Sequence, residues 1–119
     1  MTKRRAEILT GYEVRRISDE SSAFCYGAFC GESLLAEAKH RKQGIALTLV
    51  VNRIYQIHSR LVLDEEGWKC ARCGRTDGLQ IHHRKFRSHG GTHKPENLEP
   101  VCWGCHRRIH AGRRDAQAC

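Results

Sequence analysis

Six of the chain's eight histidines and two of its seven cysteines fall within residues 79–110. Imidazole and thiolate are strong transition-metal ligands, so the crowding points to metal chemistry. Two cysteine pairs frame it: Cys70 and Cys73 in "CARC", and Cys102 and Cys105 in "CWGC". A C-x-x-C turn aims two sulfurs at one point, and two such turns complete a tetrahedral thiolate shell that suits zinc. All four positions are then filled and none is left for substrate, so this zinc reads as structural. Dithiol redox chemistry is the competing reading, and two pairs in register weigh against it. Lys69, Arg72 and Arg75 lie beside the cysteines and partly offset the net negative charge of such a site.

The histidines suggest a second, open site. His106 and His110 stand four apart in a predicted helix and so project from one face. His82 and His83 are adjacent on a predicted strand and point to opposite sides. Only one of that pair can face the metal directly, which leaves its neighbour for chemistry. His89 and His93 read as loop residues.

Certain elements must hold these groups. The strand is "LQIHH", the loop is "RKFRSHGGTHKPEN", and the last helix starts near Cys102, after Pro100, and stops at Gly112. Upstream, Leu47, Val50, Ile54, Ile57 and Leu61 alternate in spacings of three and four, which puts them on one helical face. That face packs within its own domain or, on the sharper reading, forms a homodimer interface. Gly44 separates this helix from an earlier one over "ESLLAEAKHRK", with a strand over "IALTLVV" as the alternative. The long helix ends near "DEEGW", where Gly67 can adopt the left-handed conformation. At the start of the chain "YEVRRIS" and "AFCYGAFC" permit a hairpin, with Cys25 and Cys30 as small buried hydrophobes rather than a second metal site.

The stretch "CARCG…LQIHHRKFRSHGG…ENLEPVCWGCHRRIH" resembles the HNH endonuclease family, in the version that carries a four-cysteine zinc site around a ββα-metal core. The resemblance covers about residues 68–112. It implies a small treble-clef-like zinc module at 67–113; with the upstream pattern the expected fold class is α+β, this module preceded by a helical N-terminal region at 1–66, a possible hairpin then a long helix, and followed by a disordered tail at 114–119. By position, His83 is the first histidine of the family signature, Asn97 its asparagine and His106 its final histidine. The family then implies that His82, His106 and His110 bind the catalytic divalent metal, with His110 absent from many zinc-site members. Asn97 would tie down the loop and orient the base.

Physical chemistry supports those roles. A nearby divalent cation disfavours protonation of His83, leaving it able to take a proton from water. Imidazole ligands favour Mn²⁺, Co²⁺, Ni²⁺ or Zn²⁺ over Mg²⁺, so activity with transition metals should at least equal that with Mg²⁺. Arg84, Lys85, Arg87, Lys94, Arg107, Arg108, Arg113 and Arg114 surround the site, and their density reads as phosphate contact.

Composition sets the outer limits. At 119 residues the chain is one compact domain or a small domain with a helical extension. The net charge is +8, spread as ten basic against six acidic residues in 1–60 and eleven against seven in 61–119. That surplus favours anionic partners, nucleic acid above all, and the family resemblance makes DNA the expected one. No apolar stretch follows the basic N-terminus, and "IALTLVV" is too short to span a membrane, so a cytoplasmic chain is expected. Two other functions compete with a nuclease: a zinc-stabilised nucleic-acid-binding module without cleavage, and a structural zinc protein assembling through the 47–61 face.

Overall fold

The structure, a computed structural model, describes residues 1–18, 23–86 and 90–115. Helix α1 (Lys3–Thr10) starts where the Thr2 hydroxyl accepts from the Arg5 N–H at 3.1 Å, and it stops where Gly11 turns left-handed with φ 79°. Strands β1 (Glu13–Ser18) and β2 (Phe24–Cys30) pair antiparallel, and β2 pairs in turn with β3 (Ser33–His40). The Glu7 carboxylate on α1 accepts from the Val14 N–H at 2.9 Å, which ties the first helix to the sheet.

Three expectations fail here. Residues 33–40 are a strand and not a helix, although leucine, alanine, glutamate and lysine are good helix formers. Gly31 carries a positive φ of 63° at the first place of the two-residue loop between Cys30 and Ser33, where hairpin turns favour glycine. Pairing with β2 and burial of Ala38 against α2 then override local propensity. Gly44, for its part, breaks nothing, because it lies in the first turn of α2 (Gln43–Glu65). Cys25 is only half-buried and Cys30 is exposed, so neither is a core hydrophobe.

Helix α2 covers one face of the three-stranded sheet. Ala46, Leu47, Val50, Val51 and Ile54 bury against Val14, Tyr26, Ala28 and Ala38 of the strands and against Ala6 and Leu9 of α1. The expected 47–61 seam divides at this point. Leu47, Val50 and Ile54 are spent inside the chain, whereas Ile57 and Leu61 are 47% and 44% exposed. The buried row runs on instead through His58 and Val62. Gly67 at φ 71° reverses the chain after the helix, and the Trp68 N–H closes the turn onto the Leu63 carbonyl at 2.8 Å.

The remaining elements are β4 (Leu79–His83), a single 3₁₀ turn (Pro95–Asn97), β5 (Leu98–Cys102) and α3 (Trp103–Asp115). β4 and β5 form a two-stranded antiparallel ribbon in which His82 faces Glu99 and His83 faces Leu98. Pro100 fits in β5 because, among the described residues, that strand pairs with β4 alone, and the Pro100 carbonyl accepts from the Ala71 N–H at 2.9 Å. Helix α3 continues past Gly112, where an end was expected, and it includes two residues assigned to the tail; residues 116–119 lie outside the described residues. A small second core joins Cys70, Val101, Cys102 and Cys105 with Leu79 and Ile109. Among the described residues no helix is long and apolar enough to cross a membrane.

Candidate active site

Two groups of side chains that could each hold a metal ion come together here, one including Cys105 and the other His106 and His110 of α3. The sulfurs of Cys70, Cys73, Cys102 and Cys105 all lie within 4.8 Å of one another. Sulfurs at tetrahedral corners about 2.3 Å from one zinc ion lie about 3.8 Å apart. The 3.6 Å between the Cys73 and Cys102 sulfurs therefore fits such an ion. Backbone N–H groups point into the cluster, from Arg72 to the Cys70 sulfur and from Cys105 to the Cys102 sulfur, each at 3.4 Å. Burial resists ionisation of Cys70, yet the N–H donors of Cys102, Cys73 and Arg72 prevail and bring its thiol down to about 6. The Arg108 guanidinium, 3.3 Å from the Cys105 sulfur, adds positive charge to the same cluster.

The second group is His82, His106 and His110, whose ring nitrogens also lie within 4.8 Å of one another. The Nε2 atoms of His106 and His110 are 3.0 Å apart. Two nitrogens each about 2.1 Å from one ion, at a right angle, lie about 3.0 Å apart, so the pair fits a shared metal. Helical spacing aligns these two rings, and β4 aims His82 at them from across the ribbon. Phe86 stacks on His110 at 5.4 Å and meets the edge of His82 at 5.5 Å, closing the apolar side of the group. Burial, helped by His106, pushes His82 down to about 4, and the same two influences of burial and a neighbouring ring lower His106. His82 and His106 are thus held as neutral, ligand-competent imidazoles.

The buried Glu99 carboxylate lies across the ribbon from His82 and takes an ion pair from Arg72 at 2.9 Å, with Arg84 at 3.8 Å. This contact links the first cysteine turn to the histidine site.

His83, on the other face of β4, meets a partner that its neighbour does not. Its Nε2 lies 2.9 Å from Nδ1 of His93, and Tyr55 of α2 stacks parallel to its ring at 5.6 Å. His93 is thus no loop bystander, and it is only 4% exposed. Its N–H donates to the Leu9 carbonyl at 2.9 Å, and its own carbonyl accepts from Nδ1 of His58 at 2.7 Å. His58 in turn lies 3.0 Å from the Tyr12 hydroxyl. Tyr12, Tyr55, His58 and His93 were all missed as site residues. His58 alone left a trace, as a polar residue that extends the apolar row of α2.

Asn97 fastens the connecting loop. Its side-chain oxygen accepts from the Lys85 N–H at 2.7 Å, and its amide donates to the carbonyls of Lys85 and Thr92 at 3.1 and 2.7 Å. The loop passes so closely at Gly91 that a Cβ there would meet the Lys85 carbonyl oxygen at 1.7 Å, so only glycine fits.

The basic residues occupy different settings. Lys85 is exposed, Arg107 lies 4.6 Å over the Trp103 ring, and Lys94 packs against Gly11. Arg84 and Arg108 are partly engaged by Glu99 and Cys105. Arg113 and Arg114 belong to the last turn of α3, while Arg87 and His89 lie outside the described residues.

Residues 70–112, which contain both metal-binding groups, match the family model described as HNH endonuclease. Comparison with curated proteins and with solved structures found no match to the chain.

Proposed function

Taking the HNH endonuclease module at residues 70–112 as the premise, we propose that this protein is a metal-dependent endonuclease that hydrolyses phosphodiester bonds in DNA. The observation that carries the reading is the division of labour across β4: His82 joins His106 and His110 on one face, and His83 stands outside that set on the other. The four cysteines hold a structural zinc, and the three histidines hold a catalytic divalent ion.

In this reading His83 takes a proton from water, and the resulting hydroxide attacks phosphorus. The bond to the 3′ oxygen breaks, that oxygen takes a proton from solvent, and the products carry 5′-phosphate and 3′-hydroxyl ends. His82, His106 and His110 would hold a divalent ion, which would supply Lewis-acid stabilisation of the negative charge that develops in phosphoryl transfer. Asn97 keeps the loop in place around the base. Lys85 and Arg107 are exposed cations suited to the phosphate backbone, which positions a strand without selecting sequence. One such site per chain nicks one strand.

Supercoiled-plasmid nicking across a metal series tests the proposal. His83→Ala should abolish cleavage while zinc content, folding and DNA binding persist. Equal cleavage by that variant and the wild type would remove the enzymatic assignment.

A further inference from the structure

The base side of the site contains a residue that the nuclease reading alone does not use. His93 is buried, lies in hydrogen-bond contact with His83, and has both its backbone groups held by N-terminal elements: the N–H by Leu9 of α1 and the carbonyl by His58 of α2. A carbonyl can only accept, so His58 carries its proton on Nδ1. In the neutral ring its Nε2 then accepts from the Tyr12 hydroxyl, 3.0 Å away. Each link of this chain has one direction, and it ends by fixing where the His93 ring stands relative to His83.

We propose that His93 is a positioning residue for the base, and that the N-terminal elements take part in the active site by holding it there. In this arrangement Nδ1 of His93 accepts from Nε2–H of His83, which sets the tautomer and the angle of the base ring. When the ring takes up a proton in the reaction the same Nε2–H bond is kept and becomes charge-assisted. No proton needs to leave His93. The logic is that of a triad, in which a third group sets the tautomer of the catalytic imidazole, with a neutral ring in place of a carboxylate. Tyr55 stacks on His83 at 9° between planes and contacts His93 at 4.8 Å, so both rings are held in tilt as well as in distance.

The inference rests on the role of His83 as base, and the experiment separates the two. His93→Ala should lower kcat for plasmid nicking by about 10–100-fold, with KM and zinc content little changed. His93→Asn places an amide oxygen near the lost Nδ1 and should restore kcat to within about threefold of wild type, since it can accept the same proton. In parallel, ¹⁵N imidazole spectra of the zinc-loaded wild type without catalytic metal should show His83 as the Nε2–H tautomer, and those of His93→Ala should show that preference lost. Wild-type kcat in His93→Ala, equal impairment of the Ala and Asn variants, or an Nδ1–H tautomer for His83 in the wild type would each overturn the proposal. If His83→Ala cleaves normally the base role fails, while the spectra still decide whether His93 sets the tautomer.

Discussion

The buried His58 offers a direct measure of how firmly the N-terminal elements hold the loop that carries His93. Replacing it with phenylalanine preserves a ring of similar size and removes both polar contacts. The His93 carbonyl, in a residue 4% exposed, loses the His58 proton. Such a loss costs about 1–3 kcal/mol. The Tyr12 hydroxyl is half-buried and can turn toward water, so its share is smaller, about 0.5–1.5 kcal/mol. Together they place His58→Phe about 2–4 kcal/mol below wild type. Tyr12→Phe alone should cost about 1 kcal/mol in the wild-type background and close to nothing beside His58→Phe, because its acceptor is already gone. Urea unfolding at a fixed small excess of zinc reads the cycle, with an expected midpoint shift of about 1–2 M for His58→Phe. A Tyr12→Phe cost that is the same in both backgrounds would show that the Tyr12–His58 contact has no energetic reality, and a His58→Phe cost below about 0.5 kcal/mol would show the same of the contact to His93.

Two further outcomes test the frame on which the site is built. Cys102→Ser should lose one equivalent of bound zinc and most amide-exchange protection in β4, β5 and α3, because the thiolate cluster forms much of the second core. Ile54→Ala should destabilise by about 2–5 kcal/mol and Ile57→Ala by less than about 0.5 kcal/mol in thermal or urea unfolding, since the first is fully buried and the second exposed.

The metal-binding half of the site was legible because its spacing is local. A C-x-x-C turn, two histidines four apart on a helix and two adjacent histidines on a strand each fix a direction within a few residues, and the four cysteines and three histidines do converge. Asn97 was legible only by resemblance, and its bonds to Lys85 and Thr92 give the physical content of its place in the signature. The misreadings are all cases where distant contacts decide. Residues 33–40 have helical composition, and only the β2 edge makes them a strand. The α2 seam was followed to Ile57 and Leu61 on hydrophobicity, whereas the packed row turns to His58, whose polar atoms are satisfied by residues 46 and 35 positions away. No local pattern could pair His83 with His93, because that pairing depends on where α1 and α2 hold the loop.

The two sides of β4 are therefore stabilised by different parts of the chain. His82 belongs to the zinc side, where the cysteine turns, Glu99 with Arg72, and α3 fix the ligands. His83 belongs to the other side, where Tyr55, His58 and Leu9 fix its surroundings through His93. The second core is too small to hold the long connecting loop by itself, since it is built largely from the metal-binding cysteines. The larger core under α2 supplies the rigidity that holds His93, and through it His83, at a fixed angle, as the proposed role of His83 as a base requires. A perturbation of α1 or α2 should thus reach His83 before it reaches His82, His106 and His110, and a perturbation of the cysteines should act in the opposite order.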